Sequence, residues 1–153
     1  MNKLFISFIL AAFLIGCAST GNASNFSDIT EKEWKLTEVS INRASGKEIL
    51  FNRDSLSNED AGNFYTLAFE GGRISGRAAP NLYNSSYTLG EKNAISIRPM
   101  ASTMMASLNE PENLREHVFY SYMHNVYKWE FENEKLILFS KTEDGLDVRL
   151  MFL

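Results

Sequence analysis

Cysteine offers the widest chemistry of any side chain, and this sequence of 153 residues has one, Cys17. Ahead of it lie Lys3 and an apolar run of 12 residues from Leu4 to Ile15, broken only by Ser7. A bilayer-crossing helix needs about 20 such residues, so the run fits the hydrophobic region of a secretory signal instead. Leu14-Ile15-Gly16-Cys17 has the order of a bacterial lipobox: a branched residue, a small residue, then the cysteine. The thiol sulfur takes a diacylglyceryl group, and cleavage before Cys17 frees an amine for a further acyl chain such as palmitate. The competing reading is an ordinary signal peptide with an accidental cysteine, but the single cysteine falls at the expected place.

The residue after it is Ala18, not the Asp that usually retains lipoproteins in the inner membrane, which points to the outer membrane of the cell envelope. Two or three acyl chains anchor stably, each buried methylene contributing about 0.8 kcal/mol. Without residues 1–16 the chain carries 14 basic and 19 acidic side chains, a formal −5. Lipid rather than attraction to anionic headgroups would therefore hold it. The whole chain, at −4, also lacks the surplus of Lys and Arg that nucleic-acid binding needs.

Other chemistry finds little support. One cysteine permits neither an internal disulfide nor a zinc site of several thiolates. His117 and His124, seven apart on one helix face, are separated by roughly 10 Å along the axis, too far to share a metal ion. They read as surface histidines, and no metal or cofactor is expected. Gly71 to Arg77 echoes a phosphate loop without its Lys-Ser/Thr pair and following helix. The carboxylates alternate outward, as at Glu130 and Glu132, or sit in turns, as at Glu59-Asp60 and Glu143-Asp144. No Gly-x-Ser-x-Gly elbow occurs. A non-enzymatic protein is expected.

Two stretches could recognise something. Asn81, Tyr83 and Asn84 have the composition of a contact loop, although Asn also serves plain turn chemistry. Met100, Met104 and Met105 lie within Met100-Ala101-Ser102-Thr103-Met104-Met105-Ala106. Methionine adapts to a core, an apolar ligand pocket or a promiscuous contact, and core filling under the helix is the more common outcome for such a run.

The elements that must position these residues are mostly strands. Ala18 to Asp28 is small and polar, and residues 17–30 read as the lipidated cysteine and a flexible tether reaching roughly 20 Å. A single domain is expected over residues 31–153. Trp34 and Leu36 face one way, then Val39 and Ile41 switch parity, which predicts a bulge. Tyr65, Leu67 and Phe69 lead through Gly71-Gly72 into Ile74, Gly76 and Ala78 as a hairpin. Tyr87 and Leu89 pair with Ile95 and Ile97. Tyr127 to Phe131, the continuously apolar Leu136 to Phe139, and Leu146 to Phe152 bring the total to about eight strands. Leu114, Val118, Tyr122 and Val126 have helical spacing, widened by Phe119 and Met123. Asn109 is the expected cap, with Pro111 in the first turn and Glu112 completing a capping box. The predicted class is α+β, a curved, mostly antiparallel sheet of about eight strands with one amphipathic helix packed on it.

Several stretches together resemble the META domain of heat-shock-inducible envelope lipoproteins. They are Trp34-Lys35-Leu36, Phe69, Gly71-Gly72-Arg73-Ile74-Ser75-Gly76, Asn81-Leu82-Tyr83, Tyr87, Ile97 through Ala106, Tyr127 and Leu136-Ile137-Leu138. The block from Met100 to Ala106 is the most specific of them. The resemblance implies a small α+β unit and an association with heat shock, antibiotic tolerance and, in some organisms, motility or virulence. Relatives often have Gly-Cys-Asn at Ala79-Pro80-Asn81 and a Cys at Ser107. If those cysteines pair in relatives, this chain lacks both ends of a staple that typically contributes about 2–4 kcal/mol.

Two functions follow as expectations. One is a stress-related interaction module, tethered to the membrane through Cys17 and meeting an unknown envelope protein through Asn81, Tyr83 and Asn84. The other is a binder of a small apolar ligand in a cup between sheet and helix, near Met100, Met104 and Met105.

Overall fold

The computed structural model describes residues 25–56, 61–106 and 110–153. The signal segment, Cys17, most of the tether, Ser107 and the expected helix cap Asn109 lie outside the described residues.

Among the described residues, ten strands and one α-helix follow in the order β1 (Glu33–Arg43), β2 (Gly46–Asn52), β3 (Thr66–Glu70), β4 (Arg73–Arg77), β5 (Leu82–Leu89), β6 (Ile95–Ile97), β7 (Ala101–Ser102), α1 (Glu116–His124), β8 (Lys128–Glu132), β9 (Lys135–Lys141) and β10 (Asp147–Phe152). Every strand pairing is antiparallel. The main path runs β6-β5-β4-β3-β1-β10-β9-β8, with β2 on β1 and β7 on β5. Its two ends meet: Ala94 bridges Lys128, the Ile95 amide donates to the Tyr127 carbonyl at 3.1 Å, and the Trp129 amide donates to the Asn93 carbonyl at 3.0 Å. The sheet is thus a nearly closed, eight-stranded barrel, the expected curvature being carried almost to closure.

The bulge in β1 explains the parity switch. Leu36 pairs with Phe152 and Glu38 with Met151, so Thr37 is an extra residue on its strand. Trp34 and Leu36 point into the core before it, and Val39 and Ile41 after it. β1 also changes partners here, from β3 at Glu33 to Lys35 to β2 from Glu38 onward. The Arg53 guanidinium fills the gap. It donates to the carbonyls of Leu36 (2.6 Å), Gly62 (2.8 Å), Phe64 and Tyr65. Burial lowers its pKa from the ordinary value, yet guanidinium stays charged in proteins.

Helix α1 plugs one end of the barrel. Phe119 and Met123 are fully buried, and the Phe119 ring lies 5.2 Å from Tyr65 and 5.7 Å from Tyr83. Val118 and Tyr122, expected on the central stripe, are only half-buried, so the buried face is rotated by one residue. The helix also starts later than its sequence signals suggest. Glu110 accepts the Glu116 amide through its side chain, leaving Pro111 and Glu112 outside the helix. At the other terminus the buried Ser140 hydroxyl donates to the Tyr122 carbonyl at 2.6 Å, satisfying one of the orphan acceptors of the last turn.

The opposite end has its own cover. β3 and β5 run the same way, both antiparallel to β4. Tyr65 and Tyr83 stand at their starts, Phe69 and Tyr87 toward their ends. A short 3-10 turn, Phe26–Ile29, sets Phe26 5.1 Å from Phe69, 5.3 Å from Tyr87 and 5.1 Å from Trp129. Ile29 is fully buried and its carbonyl accepts from the Trp34 indole at 2.9 Å. The packed domain therefore begins near Phe26, not at residue 31, because these apolar side chains complete the core.

Candidate functional site

The segment between β4 and β5 turns through a cis Ala79–Pro80 bond, and the Ala78 amide donates to the Asn81 carbonyl at 2.7 Å. The Asn81 side chain points inward and is only 3% exposed. Its Nδ2 donates to the Met105 carbonyl (3.1 Å) and to Glu116 Oε2 (2.7 Å). Its Oδ1 accepts from the Thr103 hydroxyl (2.8 Å) and the Met105 amide (2.7 Å). The Asn81 backbone amide adds a bond to Glu116 Oε1 at 3.0 Å. Two donors and two acceptors are thus all satisfied, which fixes the orientation of the amide. One residue ties the β4–β5 turn to the methionine segment and to the first turn of α1.

Tyr83 is also buried, at 2% exposure. Its hydroxyl donates to the Thr66 carbonyl at 2.7 Å across Gly76. A Cβ on Gly76 would lie 2.1 Å from that carbonyl oxygen and 2.8 Å from the hydroxyl, so only glycine fits. Burial raises the Tyr83 pKa well above the ordinary phenol value, with the charge of a neighbouring Tyr120 adding to it. Tyr120, packed edge-on to Tyr83 at 5.9 Å, is pushed up to about 12, first by burial and then by the Glu116 charge. The Tyr65 hydroxyl donates to the Leu114 carbonyl, and its pKa is raised by burial first, then by Glu110 and Glu116.

The recognition loop expected at Asn81, Tyr83 and Asn84 is therefore corrected. Tyr83 and Asn84 belong to β5, Asn81 and Tyr83 face inward, and only Asn84 is exposed, accepting from Arg73 at 2.5 Å. The reason is strand alternation continuing back to Leu82, which turn-forming Pro80 and Asn81 conceal.

The expected ligand cup is corrected likewise. The space between helix and sheet is filled by Tyr65, Tyr83, Leu114, Phe119 and Met123. Met100 packs half-buried against this core, whereas Met104 is 98% and Met105 53% exposed. Leu82, 51% exposed, joins them. Its amide donates to the Thr103 hydroxyl at 3.1 Å, and its carbonyl accepts from the Thr103 amide at 3.0 Å. Leu82, Met104 and Met105 thus make an apolar patch on a segment whose backbone is fixed.

Beside Leu82 lies an open groove of about 790 Å³. Phe64, Thr66, Gly76 and Tyr83 form its floor, and Glu33, Asn63, Ser75, Arg77, Pro80 and Leu82 form its rim. Arg77 donates to the Pro80 carbonyl at 3.2 Å. Sequence reading missed these rim residues. The one available signal was Gly76, since a glycine inside a strand pattern marks a close approach of another group. His117 and His124 are exposed on α1. Among the described residues no three His, Cys, Asp or Glu side chains gather as a metal site.

Together these features define a small barrel-like α+β domain with a helix in one mouth and an apolar patch beside an open groove. The META domain family profile matches residues 27–150, and the chain belongs to that family. Two solved structures share the fold. A DUF4847 family protein from Bacteroides vulgatus ATCC 8482 superimposes with a TM-score of 0.56 at 12% identity, covering 82% of this chain and 94% of its own. A protein from Burkholderia xenovorans, solved by NMR, gives a TM-score of 0.56 at 17% identity, covering 100% of this chain and 99% of its own. No curated protein matches this sequence.

Proposed function

We propose that this is a non-enzymatic binding domain of the bacterial envelope, held at the membrane by acyl groups on Cys17. It meets another envelope protein, under stress, through Leu82, Met104 and Met105 and the adjoining groove. The observation that carries this reading is the 98% exposure of Met104 on a segment pinned by a buried Asn81. A fixed backbone spares the cost of ordering the segment on docking, and methionine adapts to varied partner surfaces. Tethering to a membrane raises effective concentration, so modest contacts suffice. A small ligand lying in the groove is the second reading, favoured by a volume within the usual range for such sites, about 300–1,000 Å³.

A photoreactive residue at position 104 of the full chain, activated in cells under envelope stress, tests the contact. We expect one defined protein adduct, reduced about tenfold by Leu82→Asp, as loss of a central apolar anchor would give. Equal capture from position 89, or no adduct, would overturn the assignment. Metabolic labelling with a fatty acid should mark the protein and miss Cys17→Ala; a labelled mutant would remove the lipid anchor from the proposal.

A further inference from the structure

We propose that Met104 and Met105 form a reversible oxidation site of the folded domain, with a hydroperoxide as oxidant and a thiol-dependent methionine sulfoxide reductase as the restoring partner. This does not depend on the docking role of the patch. Sulfoxidation follows access to the sulfur, and the methionines of this domain differ sharply in access. Met104 is 98% exposed and Met105 53%, whereas Met123 is fully buried and Met100 and Met151 are half-buried. The site is also built to survive the modification. Asn81 holds Met105 by its backbone amide and carbonyl, so the bonds that fix the segment do not involve either thioether. Oxidising Met123 would instead place a polar sulfoxide against Phe119 and the barrel core.

In the forward step a sulfur lone pair attacks the terminal oxygen of the hydroperoxide. The S–O bond forms, the O–O bond breaks, and the departing oxygen leaves protonated, as water when the oxidant is hydrogen peroxide. The sulfur is oxidised and the peroxide reduced. In the return step two thiols of the reductase system become a disulfide, and the sulfoxide oxygen leaves as water. Oxidation turns the apolar Leu82-Met104-Met105 patch polar without changing the fold.

The test is hydrogen peroxide titration of the detergent-solubilised full chain, read by peptide mapping and thermal melting. Met104 and Met105 should gain oxygen at least about tenfold faster than Met123, with the melting temperature unchanged while only those two are modified. The Met104→Leu/Met105→Leu variant should melt as the parent does and take up two fewer oxygens at that stage. Reductases for both sulfoxide epimers, supplied with a dithiol, should return the oxidised chain to its starting mass. Oxidation of Met123 at a similar rate, a melting temperature that falls as Met104 and Met105 react, or resistance of the folded sulfoxides to reductase would each overturn the proposal.

Discussion

Two polar side chains hold irregular parts of this barrel together, and they do so differently. Arg53 sits where β1 exchanges β3 for β2 and gathers four carbonyls, from Leu36, Gly62, Phe64 and Tyr65. It stays partly in water, because a guanidinium with no carboxylate partner among the described residues cannot be fully desolvated cheaply. Asn81 is neutral, so it can be buried almost completely, with the Glu116 carboxylate among its partners. A charge serves at the rim of the barrel, where strand ends need several donors at once. A balanced amide serves inside, where every lone pair and proton must be matched.

Substituting across this divide should break the two supports unequally. Asn81→Asp is nearly isosteric, yet sets an acceptor against the Met105 carbonyl and a carboxylate against Glu116. We expect a loss of about 2–4 kcal/mol at neutral pH in urea denaturation. The new acid has a raised folded pKa, so the native state binds the extra proton. The damage should therefore lessen as pH falls through that raised pKa and level off near about 4, where the unfolded acid takes up its proton as well. Arg53→Met keeps much of the side-chain volume and leaves four carbonyls to water. With water near, the cost should be smaller, about 1–3 kcal/mol, and without the acid rescue.

Tyr83→Phe should cost least, about 1 kcal/mol, since it orphans one carbonyl. It sharpens the comparison at high pH instead. Burial raises the pKa of both Tyr65 and Tyr83, whereas unfolded tyrosines ionise near about 10. The native state keeps protons that the unfolded chain releases, so stability is full below that value and falls as pH rises beyond it. Urea midpoints across the alkaline range should decline less steeply in Tyr83→Phe than in the parent.

Most of the sheet could be read from the chain. The parity switch between Leu36 and Val39 announced the bulge, Gly71-Gly72 announced the hairpin, and the apolar run from Leu136 to Phe139 announced an interior strand. β2 was not legible, because only Phe51 of its seven residues is buried and no alternation survives. Barrel closure was equally hidden, since it depends on Ala94 meeting Lys128 across the fold. The site was legible only in part. Asn81 and the methionine segment stood out by type, but an asparagine that bonds residues 22, 24 and 35 positions away cannot be told from a turn former by its neighbours. Met104 and Met105 carry an apolar signal that predicts burial, yet they follow the two-residue β7 on the outside of the barrel.

The seam between β6 and β8 has a mechanical meaning. The 3-10 turn at Phe26–Ile29 covers the aromatic residues near that seam, and the Ile29 carbonyl and Glu31 amide hold the entering chain to Trp34 and Phe69. A pull on the N-terminal side of the domain reaches these contacts first. They would yield one after another, before tension arrives at the long ladder of β1 with β10. The turn thus stands in series with the barrel, so a load on the chain ahead of it meets the Phe26 and Ile29 contacts before it meets the sheet.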